Sequence, residues 1–162
     1  MTDTTLTPAR LWKRMSAEQR VRAASALWRE EEAVGDQMQA VALISKQMKS
    51  RPKTVIGFDD ERKARYLASV ADVPDVLAAR LLVIYHLAEQ RAMMGAFLDA
   101  LGIAHENGLI QDETVTPDPA KTVAAAAAIA SQYPAEDVSL YLKTLLLQDP
   151  MTWAALQDVV ES

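Results

Sequence analysis

The stretch PDVLAARLLVIYHLAEQRAMMGAFLDALG, residues 74–102, decides the fold. Its apolar residues return every three or four positions, and in the middle turns they occupy nearly every side. A helix surrounded by other helices needs that pattern. Pro74 closely follows Asp72, an N-cap residue type, and Gly102 supplies a stop. The expectation is a long central helix over about 74–102.

Working outward from it, prolines punctuate both flanks. Pro8, Pro119 and Pro150 follow Thr7, Asp118 and Asp149 and precede helical patterns, whereas Pro52 ends a helical run. SAEQRVRAASALWREEEAV opens with a capping box, Ser16 and Gln19, and carries Val21, Ala24, Leu27 and Trp28 at helical spacing. Gly35 followed by Asp36 reads as a stop and a new N-cap, and Met38, Val41, Ala42, Ser45 and Met48 form the next stripe. Two readings stay open there. The two runs form an antiparallel hairpin, or they join into one helix in which Leu27, Val34, Val41 and Met48 recur every seven residues as a short coiled-coil seam.

Residues 51–58 read as an extended linker. DDERKARYLASV then starts a helix with acids first and bases later, as the helix dipole favours. Beyond Gly102, IAHENGLIQDETVTPD is a loop with a turn at Asn107 and Gly108, followed by helices near 119–131, 135–147 and 150–160. Strand-like alternation is at most weak, at 54–58 and 108–110, and no repeat of 30–50 residues is visible. The fold expected is all-α: one domain, 1–162, an irregular bundle of seven or eight helices with an N-terminal hairpin over 8–50, a linker over 51–58 and a C-terminal bundle over 59–162.

Composition bounds the chemistry. The 162 residues suit one core, half of them are apolar and 24% are charged, which fits a globular protein. With no cysteine, disulfides, thiolate catalysis, Fe–S clusters and Cys-type zinc sites are excluded. MTDTTLTPARLWKRM lacks the apolar run of a secretory signal, and no stretch reaches a membrane span. A cytoplasmic protein without membrane contact is expected. Charge is unevenly spread: residues 1–65 hold 13 Lys/Arg against 9 Asp/Glu, and residues 66–162 hold 4 against 13. Such a two-ended chain can match one copy's front to another's back, or the two ends can face each other within one fold.

The candidate site residues fall in two groups. His86, Glu89, Gln90 and Met93 lie within the long helix. His86 and Glu89 are three apart and therefore neighbours on one face, so they are expected to form a hydrogen-bonded pair at a helix seam, or alternatively to line a small-ligand pocket with Gln90 and Met93. His86-x-x-Glu89 reverses the order used by di-iron bundles and occurs once, and His105 stands roughly 25–30 Å further along a continuous helix. No metal, cofactor or catalytic residue is assigned. The second group is Leu11, Trp12, Met15 and Trp28, a heavy apolar load for a thin basic region, read either as an interface anchor or as a satellite core. Trp153 in the last helix poses the same choice.

Phosphate-binding and hydrolase motifs are missing. A site assembled from the 105–111 loop is the weakest alternative. Lys46, Lys49, Arg51 and Lys53, with Arg62, Lys63 and Arg65, make the one basic cluster, near Phe58 and Tyr66. Asp59, Asp60 and Glu61 interrupt it and the pI is near 5.0, so nucleic acid is not the expected partner. The leading expectation is a non-catalytic protein-interaction module or homo-oligomer, with a homodimer as its simplest form and a small-ligand-binding protein as the alternative.

Overall fold

The computed structural model describes residues 6–112 and 114–161. Residues 1–5 of the opening segment, read above for a leader, lie outside them. The chain is all-α, with ten α-helices and one two-stranded hairpin among the described residues. No helix among them is long and apolar enough to cross a membrane. The helices form two compact units, Met1–Ala88 and Glu89–Ser162.

The first unit holds α1 (Pro8–Arg14), α2 (Ala17–Arg29), α3 (Val34–Met48), α4 (Pro52–Ile56), α5 (Asp60–Ser69) and α6 (Asp75–Glu89), whose last residue begins the second unit. Its starts follow the sequence signals closely. Thr7 accepts from the Arg10 N–H ahead of Pro8, and Ser16 and Gln19 exchange both bonds of a capping box at 3.0 Å. Asp59 accepts from the Arg62 N–H at 2.8 Å. The α1 and α6 helices are tied by the Ala9 N–H donating to Asp75 Oδ1 at 2.9 Å.

One contact in the core of this unit, between α2 and α5, is rich in small residues. Packing of α2 is chiefly against α5 rather than α3, with Ala23, Ala24 and Leu27 on one side and Ala64, Leu67 and Ala68 on the other, all buried. Alanines let the two backbones approach closely, so buried area accrues without large side chains.

Four boundaries differ from expectation, three of them between Arg29 and Arg91. Gly35 is not a stop: α2 ends at Arg29, residues 30–33 form a turn, and α3 begins at Val34 with Gly35 and Asp36 in its first turn. The one-helix reading therefore fails. Gln37 Nε2 holds the turn by donating to the Leu27 and Glu30 carbonyls, both at 2.9 Å. The 51–58 linker is not extended, because Pro52 sits at the first turn of α4 rather than terminating α3; Lys49, at φ 57°, makes that stop.

The third correction concerns the long helix. It breaks at Gln90, which leaves helical geometry at φ −126°, ψ 22°, and α7 (Arg91–Leu101) follows. The cause lies in the phase of the apolar residues. In one uninterrupted helix, at about 100° per residue, the buried set Leu77, Leu81, Leu82 and Tyr85 would face one side, and the buried set Met93, Met94, Phe97 and Leu98 nearly the opposite side. The polar run Glu89–Gln90–Arg91 is where the chain changes face.

The second unit contains α7, the hairpin strands β1 (His105–Glu106) and β2 (Leu109–Ile110), α8 (Pro119–Ala130), α9 (Ala135–Gln148), a 3₁₀ turn (Ala154–Leu156) and α10 (Gln157–Glu161). The expected helix over 150–160 is thus a turn, a 3₁₀ turn and a short helix. Asp149 does not cap a helix at Pro150; it closes α9 and accepts from the Thr152 N–H at 3.1 Å. Through Thr122, Ala125, Ala126 and Ile129, α8 presents a mostly small buried face, and its main partner is α7. Phe97 is the hub of the aromatic core, edge-on to Tyr141 at 5.6 Å and tilted to Trp153 at 5.8 Å.

Two stability predictions follow from this packing. Trp12→Ala, which empties a fully buried site, should destabilise the first unit by about 3–5 kcal/mol, and Ser16→Ala by about 1 kcal/mol, both read as urea midpoints. Burial raises the Tyr141 hydroxyl pKa above its ordinary value. The folded pKa then lies above the unfolded one, so this stabilisation is intact below about pH 10 and is lost as the pH climbs beyond it. Thermal unfolding followed between pH 8 and 11 should show Tyr141→Phe losing less stability than the parent; an identical slope would contradict this.

Candidate functional site

Leu11, Trp12 and Met15 are buried, at 1–4% exposure. They form the satellite core of the first unit rather than a free surface, and Trp28 on α2 is only half-buried. The Lys63 ammonium lies 4.7 Å from the Trp28 ring centroid and 3.4 Å from Asp60, so this indole is covered by a paired cation. Trp153 is buried as well.

His86, Glu89, Gln90 and Met93 are dispersed by their burial. His86 is buried on α6, where its Nδ1 donates to the Leu82 carbonyl at 2.8 Å. A carbonyl can only accept, so Nδ1 carries the proton. Glu89 is exposed at the end of α6, Gln90 is the half-buried joint, and Met93 is fully buried in α7. Among the described residues no group of three or more His, Cys, Asp or Glu is placed to hold a metal.

The second histidine is built into a turn. Asn107 and Gly108, at φ 53° and 89°, make the two-residue connection of the hairpin, the positive-φ pair that a type I′ turn requires. His105 accepts the Gly108 N–H on Nδ1 at 3.1 Å and places Nε2 2.7 Å from Asp99 Oδ1. The first bond demands a bare Nδ1, so the proton sits on Nε2 and is donated to Asp99. Paired with a carboxylate, such an imidazole resembles half of an acid/base dyad. Both ring nitrogens are nevertheless occupied within the fold, and none is left to take a substrate proton.

The cluster that gathers most chemistry lies in the basic region beside Phe58 and Tyr66, to which the sequence assigns no partner. Phe58, Arg62 and Tyr66 are spaced by four and stand in one column along α5 and its cap. The Phe58 and Tyr66 rings stack with centroids 5.5 Å apart, and the Arg62 guanidinium lies 4.0 Å above Phe58 and 5.5 Å from the Tyr66 centroid. Arg62 Nη2 also approaches the Tyr66 hydroxyl at 3.4 Å. Beside this column, Arg62, Arg65, Tyr66 and Ser69 line an open groove of about 330 Å³. The spacing of four was the available signal, and the acidic run 59–61 obscured it. Two of those acids are committed locally, Asp59 to the helix cap and Asp60 to Lys63.

No family model matches this chain, and no curated protein or solved structure matches it.

The hairpin gives a direct test. A Cβ on Gly108 would stand 2.7 Å from Met94 Cβ, at a φ that side chains rarely adopt. Gly108→Ala should therefore unseat the turn, with the His105–Gly108 bond lost, seen as faster amide exchange at residue 108. In the parent, imidazole ¹⁵N shifts near pH 8 should report the Nε2–H tautomer for His105 and the Nδ1–H tautomer for His86; the reverse assignment would overturn both arrangements.

Proposed function

We propose that this chain is a non-catalytic helical interaction module that associates with itself through surfaces of opposite charge. The observation that carries the reading is how charge divides between the two compact units. Residues 1–88 hold 14 Lys/Arg against 11 Asp/Glu, +3, while residues 89–162 hold 3 against 11, −8. Opposed fields of this size steer encounter and fix orientation more than they add affinity. Supporting it, each candidate chemical group is engaged in holding structure: His105 in its turn, and His86 against its own helix.

Exposed apolar side chains add a second source of attraction. Val34 and Met38 lie one turn apart on the outer face of α3, at 58% and 47% exposure, and Val76 of α6 is 75% exposed. Singly exposed apolar residues are common on any surface. A pair on one helix face can serve as a seam once charges have brought two copies together.

Sedimentation velocity at about 25 mM and about 300 mM NaCl, which brackets the physiological screening length, tests the reading. Self-association that weakens with salt is the expected result. A monomer at both salts would overturn it, and a monomer carrying a stoichiometric organic adduct in native mass spectrometry would move attention to the pocket reading at His86, Glu89, Gln90 and Met93.

A further inference from the structure

We infer that the open groove on α5, lined by Arg62, Arg65, Tyr66 and Ser69, receives the acidic second unit of another copy of this chain, entered by the hairpin around Glu106. This rests on the self-association reading above and names its surface.

The groove is prepared for carboxylates. Arg62 is held in place by the Phe58 ring at 4.0 Å and by Tyr66, so its planar fork loses little freedom on binding an oxyanion. Arg65 is exposed and has no ion-pair partner among the described residues. The Ser69 hydroxyl donates its one proton to the Tyr66 carbonyl at 2.7 Å, so carboxylate recognition rests on the two guanidinium groups. Among the described residues no carboxylate lines the groove, although the exposed Glu61 stands one helical turn before Arg65.

Its shape argues against the other occupants. Arg62, Arg65 and Ser69 are exposed, so the groove does not enclose a small molecule as ligand pockets do. For a nucleic acid, the aromatic surface would have to be bare, yet Phe58 is covered by Arg62 and stacked on Tyr66. The adjoining Asp59, Asp60 and Glu61 oppose a phosphate backbone. Carboxylates carried singly on a polypeptide need no bare aromatic face and meet those acids with far less charge than a continuous phosphate backbone.

The occupant is present in the chain itself. The second unit carries −8, and its hairpin displays the exposed acids Glu106 and Asp112 with the 48%-exposed Leu109 between them. Two hydrogen bonds from Thr114 hold the Asp112 carboxyl below the usual carboxylate range. An acid–apolar–acid tip fits a groove of two arginines flanked by aromatic rings. Because groove and tip are different surfaces, the contact is head-to-tail, and copies add into rings or chains.

A charge exchange tests this. Arg65→Glu and Glu106→Lys, each checked for parental circular dichroism, should each weaken self-association at least about tenfold in sedimentation equilibrium, since like charges then oppose. An equimolar mixture should recover a 1:1 dimer, because one intact groove then meets one intact tip. If the parent associates but neither substitution changes it, the groove is not the surface and the self-association reading survives. If the parent is monomeric throughout, both fall. A benzophenone placed through Ser69→Cys, the chain's sole thiol, should cross-link to residues 89–162 of a second copy. Cross-links confined to monomer would mean that the chain's own second unit covers the groove. Protection of the groove by an oligonucleotide, with no dimer formed, would assign it to nucleic acid and overturn the inference.

Discussion

The structure depends on one phase constraint. Between Tyr85 and Phe97 the apolar residues switch to the opposite side of what would otherwise be a single helix, and no straight helix can bury both sets on one side. The chain meets this by surrendering helical geometry at Gln90, within the polar run Glu89–Gln90–Arg91. The division into two compact units falls beside that break, residues 1–88 being net basic and residues 89–162 net acidic.

Within each unit, stability rests on close approach more than on bulk. Aromatic residues are only 6% of the chain, and alanine faces carry the α2 and α5 contact and much of α8. Such faces allow little adjustment. Adding one methylene to Ala23, Ala24 or Ala64 would force backbones apart, and the large residues Trp12, Phe97 and Trp153 are themselves buried. Caps complete the arrangement by satisfying the N–H groups that short helices leave in high proportion.

Much of this was legible in the chain. Thr7, Ser16, Asp59 and Asp118 all cap helices, as their residue types and spacing imply, and the all-α class follows from periodicity alone. The long helix was misjudged because an apolar run on every side hides a change of face: the 3.6 period holds on both sides of Gln90 while its phase does not. Gly35 misled because a glycine near a helix end reads equally as a stop or as an early helical residue, and here Gln37 reaching back to the α2 carbonyls decides. The α5 groove was visible as a spacing of four from Phe58 to Tyr66, but the sign of the local charge masked it. His105 could not be read at all, since its partner Asp99 lies across a helix terminus and its other partner is a backbone amide.

The tryptophans are divided between the two units in a way that makes each unit optically distinct. Trp12 and Trp28 belong to the first, and their indole nitrogens are buried without hydrogen-bond partners among the described residues; Trp153 alone reports on the second, against Phe97. An indole deprived of a polar partner emits toward the blue. The Lys63 ammonium lies beside Trp28, so intrinsic fluorescence reads the first half through two indoles and the second through one, without any label.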